Sequence, residues 1–102
     1  MSSSLHPRKL LTIICESALE AEVAEALARH GARGYTVTDA RGRGRHGLRD
    51  GSWSAGANIR FEVLCDETTA LELLSVVEDS YFPDYYMVAF LSDIQVLRPG
   101  KF

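Results

Sequence analysis

Arg41-Gly42-Arg43-Gly44-Arg45-His46-Gly47 is the stretch of this 102-residue chain whose residue types and spacing could do chemistry. Its glycines let the backbone approach a ligand and present N–H groups unobstructed. Its arginines carry forked donors that match phosphate or carboxylate oxygens. Together they describe a phosphate-binding loop at the end of a strand. By pattern alone two other readings stand beside it, a solvated charged loop and an arginine-glycine segment for RNA. The charge balance separates them in part. Between Ala40 and Asp50 the chain carries +3, and the rest carries −6 of a total of −3. The body is therefore unsuited to polyanions, and no nucleic-acid partner is expected. Catalytic residues are not expected: Glu62 has no paired acid or nucleophile in the pattern, and an ion pair with Arg60 or a subunit contact fits it better. His6, His30 and His46 are too scattered to hold a metal. Cys15 and Cys65 lie in apolar runs and read as buried, reduced thiols, too far apart for a redox or zinc motif.

The elements that must position the loop follow from hydrophobic period. Lys9 to Cys15 is a short apolar, β-branched run and predicts a buried strand. Ser17-Ala18-Leu19-Glu20 has the form of a capping box. It opens a helix with Leu19, Val23 and Leu27 on one stripe, and Gly31 ends it. Gly34 to Asp39 predicts a second strand. Ala40 to Gly56 has no apolar period and five glycines. Asn58 to Cys65 alternates as a third strand. Asp66 to Ser80 predicts a second helix, capped by Asp66 or Thr69, with Ala70, Leu73, Leu74 and Val77 on its apolar face. Pro83 forces a turn in Tyr81 to Tyr85. Met87 to Leu97 is the last strand, with Val88, Phe90, Ile94 and Val96 sharing one face.

The order β-α-β-β-α-β predicts an α+β, ferredoxin-like fold: a four-stranded antiparallel sheet with two helices on one face. One domain fills residues 1–102, with a flexible leader over 1–8, the glycine-arginine loop over 40–56 and a tail over 98–102. The other sheet face, expected to carry Leu64, Ala89, Leu91 and Leu97, has no helix to cover it and should seek another subunit. No stretch reaches the roughly 20 apolar residues of a membrane span, and no signal-peptide core is seen, so a cytoplasmic location is expected.

Gly31-Ala32-Arg33-Gly34-Tyr35-Thr36-Val37-Thr38, followed by Gly42-Arg43-Gly44-Arg45, resembles the second strand and T-loop base of PII signalling proteins. Ala57-Asn58-Ile59-Arg60-Phe61-Glu62-Val63-Leu64 resembles the third strand of the PII-like proteins attached to carboxysomes and bicarbonate transporters, and Tyr81-Phe82-Pro83-Asp84-Tyr85 their aromatic turn. The similarity spans Lys9 to Leu97. It implies a homotrimeric, non-enzymatic sensor that binds an adenine nucleotide in clefts between subunits. By matched position, Thr36 and Val37 line the adenine and ribose side and the backbone of Glu62 and Leu64 borders the base. Gly42, Gly44 and Arg45 meet phosphates, and the turn Asp84, Tyr85, Tyr86 and Met87 closes the cleft. Arg98 or Lys101 reaches across from a neighbour. Bicarbonate is the implied co-ligand, with Arg43, His46 and Arg49 as alternative anion ligands. Residues 40–56 would order on ligand and meet a regulatory partner, a bicarbonate transporter or carboxysome component. Trp53 would anchor that partner or fold back on its own trimer.

The departures from the family pattern also carry expectations. His46 replaces the glutamine that organises magnesium and 2-oxoglutarate in the nitrogen sensors. The loop has no tyrosine to be uridylylated. Tyr81 to Tyr86 replace a glycine- and lysine-rich turn, which favours ADP or AMP over ATP. No C-terminal cysteine pair is present. The rival reading from another class is a trimeric ferredoxin-like metal-binding or stress protein without nucleotide.

Overall fold

A computed structural model describes residues 4–42 and 58–102. Four strands and two helices follow in the predicted order: β1 (His6–Glu16), α1 (Glu20–Arg29), β2 (Thr36–Ala40), β3 (Asn58–Cys65), α2 (Glu67–Ser80) and β4 (Val88–Val96). The sheet order is β2-β3-β1-β4, and every neighbouring pair is antiparallel. β1 and β2 therefore run parallel with β3 between them, and β3 and β4 run parallel with β1 between them. This is the split βαβ arrangement of a ferredoxin-like fold.

Strand alternation builds the core on one face. Leu11 lies between Val63 and Leu91, Ile13 between Phe61 and Ala89, and Cys15 beside Ile59. Leu11, Ile13, Cys15, Phe61 and Val63 are fully buried. The helices close over them with Leu19, Val23, Ala26 and Leu27 from the first helical segment and Ala70, Leu73 and Val77 from α2. Removing such side chains from water supplies roughly 1.5–3 kcal/mol each.

The ends of the helices differ from expectation in one place. Ser17–Leu19 form a 3-10 turn in which the Glu20 N–H donates to the Ser17 carbonyl. That N–H is the donor a capping box would have given to the serine hydroxyl, and no side-chain cap bond forms at either start. α1 ends as predicted. Gly31 adopts φ +99°, and Ala32 N–H donates to Leu27 O at 3.0 Å. The left-handed residue with its six-to-one bond is a Schellman close, and glycine takes it without a Cβ clash. Asp66 caps α2, accepting from Thr69 N–H at 2.8 Å.

Further corrections concern the strands. β1 begins at His6, so residues 6–8 of the expected leader are paired with Val96, Gln95 and Ile94 of β4. β2 starts two residues later than predicted and reaches Ala40. The faces of β4 are exchanged. Ala89 and Leu91, expected on the uncovered face, pack against the core. Val88 and Phe90 face away from it and are 41% and 44% exposed. Leu97 lies beyond the strand and is exposed, and Leu64 does lie on the uncovered face.

Candidate functional site

The predicted site residues among those described fall on β2 and its neighbour β3, in the turn before β4 and in the tail. On the β2 side, Thr36 is exposed and lies opposite Glu62 in the β2–β3 register. Glu62 in turn accepts from Arg60 Nη2 at 3.0 Å on the helix-free face. That pair is the ion pair expected for Glu62, so the carboxylate is engaged rather than free. Val37 is opposite Phe61 and packs against the core, which leaves its backbone as the part open to a ligand. Gly42 is exposed at the base of the loop, two residues past β2. Tyr35, just before β2, tilts its ring against Phe61 with centroids 5.4 Å apart.

Leu64 borders a cavity of about 320 Å³ at the far end of β3. The tail that follows Arg98 forms the opposite wall with Pro99 and Gly100. Leu64 and the tail, far apart in sequence, are thus brought to one place. Lys101 is exposed on the same turn.

On the β4 side, Asp84 and Tyr85 are exposed in a turn closed onto Tyr81 O, to which Tyr85 N–H donates at 2.8 Å and Asp84 N–H at 3.1 Å. The Tyr81 and Tyr85 rings stack obliquely, 6.2 Å apart. Tyr86 is half-buried, and Met87 is buried in the core, so Met87 holds the turn in place instead of presenting its side chain. Strands β2 and β4 are the two edges of the sheet with β3 and β1 between them. Three strand spacings put them about 14 Å apart. Within one chain the turn at Asp84 to Tyr86 therefore does not meet Thr36 and Gly42.

Arg43, Gly44, Arg45, His46, Arg49 and Trp53 lie outside the described residues. His30 is placed structurally, its Nδ1 3.0 Å from Glu72 Oε2, so that it ties the end of α1 to α2. Among the described residues no three His, Cys, Asp or Glu side chains could hold a metal ion, and no helix is long and apolar enough to cross a membrane. Arg8 and Arg33, which sequence reasoning passed over, both reach the tail and line the cavity. No local pattern marks them, because their partners are 91 and 67 residues away.

The ferredoxin-like fold, with the glycine-arginine sequence following β2, is the one that the resemblance to PII proteins implies. Residues 8–101 match the Nitrogen regulatory protein P-II family, and the chain belongs to it. A PII-like signalling protein of Thermus thermophilus is 42% identical, with a TM-score of 0.83 over 97% of this chain and 98% of that one. CPII of Thiomonas intermedia, in its structure bound to ADP and bicarbonate, is 34% identical with a TM-score of 0.85 over 99% of each chain. Its structure bound to ADP, AMP and bicarbonate aligns at 30% identity and a TM-score of 0.81, over 97% of this chain and 100% of that one.

Proposed function

We propose that this protein is a PII-like sensor that binds ADP or AMP between the subunits of a homotrimer, with bicarbonate as co-ligand. What supports this reading is that the predicted site residues are split between the β2 side of the sheet and the turn before β4. Thr36 and Gly42 on β2, with Glu62 beside Thr36 on β3, would form one half, and Asp84, Tyr85 and Tyr86 before β4 the other, about 14 Å from β2 in the same chain. A second copy laid edge to edge supplies the missing half. The uncovered sheet face supports the same assembly, since exposed Val88 and Phe90 lie beside half-buried Leu10, Ile14 and Leu64. The ADP, AMP and bicarbonate held by CPII point to the ligands.

Nucleotide phosphates reach Gly44 and Arg45 in this reading, and the anion site is drawn from Arg43, His46 and Arg49. Charge pairing then orders residues 40–56, and the ordered loop engages a partner in inorganic-carbon uptake or a carboxysome. The protein acts by binding, not catalysis. Isothermal titration with AMP, ADP and ATP, each with and without bicarbonate, tests it. Micromolar ADP or AMP binding strengthened by bicarbonate is expected, and absence of heat across the panel overturns the reading. Arg45→Ala should weaken ADP by about 1.5–3 kcal/mol, the worth of a charged hydrogen bond. Unchanged affinity removes Arg45 from the site.

A further inference from the structure

The tail crosses the 320 Å³ cavity and is held there by two arginines. Arg8 Nη2 donates to Pro99 O at 3.0 Å, and Arg33 Nη1 donates to Gly100 O at 2.8 Å. The chain enters this turn through Arg98 at φ 24°, ψ 65°. Arg98 is the one non-glycine residue at positive φ among the described residues. A side-chain-bearing residue stays in the left-handed region only where its surroundings hold it there. Here the two arginine contacts do the holding.

The acceptors are neutral carbonyls. A guanidinium binds an anionic oxygen more strongly, and its planar fork fits oxyanions better than a single carbonyl. Arg8 also has a donor to spare, because its Nε is buried and has no hydrogen-bond partner among the described residues. Asp66 is the one acidic side chain on the cavity lining, against two arginines. Its carboxylate already accepts from Thr69 N–H. The cavity therefore keeps an unused donor beside two guanidinium groups.

We infer that Arg8 and Arg33 form an oxyanion site which the carbonyls of Pro99 and Gly100 now occupy, and that a phosphate group entering the cavity displaces the tail. Arg8 Nη1 is held by Pro7 O at 2.8 Å; a tetrahedral phosphate offers acceptors for Arg8 Nη2, Arg8 Nε and Arg33 together, which the two tail carbonyls do not. Displacement relaxes Arg98 and moves its side chain, so the site sets the position of a residue assigned above to the nucleotide cleft. In that respect the inference rests on the proposed function. The phosphate can be free or carried by a nucleotide, and both chemistries are the same at the arginines.

The test is nuclear magnetic resonance of the full chain at constant ionic strength, titrated separately with inorganic phosphate, ADP and adenosine, with sodium chloride as control. The Arg8 Nε–H resonance should shift saturably with a phosphate-bearing probe and not with adenosine. The backbone amides of Gly100, Lys101 and Phe102 should become mobile in parallel, while those of Leu11 to Cys15 stay unchanged. Arg8→Gln or Arg33→Gln should weaken the response tenfold or more. A response to inorganic phosphate supports a free-anion site, and a response to ADP alone supports the nucleotide's own phosphate as the occupant. A silent Arg8 resonance or an immobile tail with both phosphate probes overturns the inference. If titration calorimetry shows ADP binding while the tail stays fixed, this inference fails and the nucleotide reading survives. Tail release by phosphate without ADP binding has the reverse meaning.

Discussion

Cys15 and Cys65 are buried, and burial is the main reason their thiols resist ionisation. Burial, with smaller contributions from Glu16 and Glu20, pushes the Cys15 thiol up from 9.0 to about 11. The native state therefore keeps its proton where the unfolded chain has lost it. Stability from this group is intact below pH 9.0 and falls as the pH rises towards about 11. Both cysteines should resist a thiol reagent at pH 8 unless denaturant is added; rapid native labelling would contradict their placement. Asp66 has the opposite sign. The bond from Thr69 N–H holds its carboxyl below the usual 3.8, helped by Arg8 and Arg33. Its contribution is present above that pH and lost below it. Asp66→Ala should cost about 1 kcal/mol in denaturant unfolding, the usual value of an N-cap. An unchanged midpoint would mean that the α2 end needs no cap.

Elements are fixed by their ends and by their facing partners. The Schellman close of α1 depends on Gly31 at φ +99°, where an added Cβ would meet only Thr69 atoms, 3.7 and 3.8 Å away. The space is open, so Gly31→Ala should cost about 1 kcal/mol through the backbone alone. A larger loss would point to the Thr69 contact. Leu73 joins α2 to the sheet at 1% exposure. Leu73→Ala should cost about 2–5 kcal/mol, measured by urea unfolding, because the cavity it leaves cannot fully close.

At the scale of the whole molecule, one sheet face carries no helix among the described residues. That face carries Phe90 at 44% exposure beside Thr12, which is fully buried with its hydroxyl oxygen unpartnered among the described residues. If this face is the trimer interface proposed above, Phe90→Asp should shift the assembly to monomer in size-exclusion chromatography with light scattering. A trimer unaffected by that charge places the interface elsewhere. Lys9 and Asp93 close the β1–β4 edge with an ion pair on the same sheet, exposed enough that salt should weaken it without unfolding the domain.

Local pattern is enough for the element order, for β3 from Asn58 to Cys65, and for the glycine that ends α1, because period and turn chemistry act over a few residues. The arginine-glycine loop, and with it the family resemblance, is also visible in the sequence. Three matters are decided only by the tertiary structure. Both faces of β4 are apolar, so alternation separates Ala89 and Leu91 from Val88 and Phe90 without saying which pair meets the core. Pairing with Leu11 and Ile13 of β1 settles it. The serine of the apparent capping box loses its donor to a 3-10 turn. Arg8 and Arg33 acquire their role only when the tail folds back across the sheet, since the carbonyls they bind lie at the other end of the chain. The sequence holds the loop chemistry, and folding decides which cations stand beside the tail.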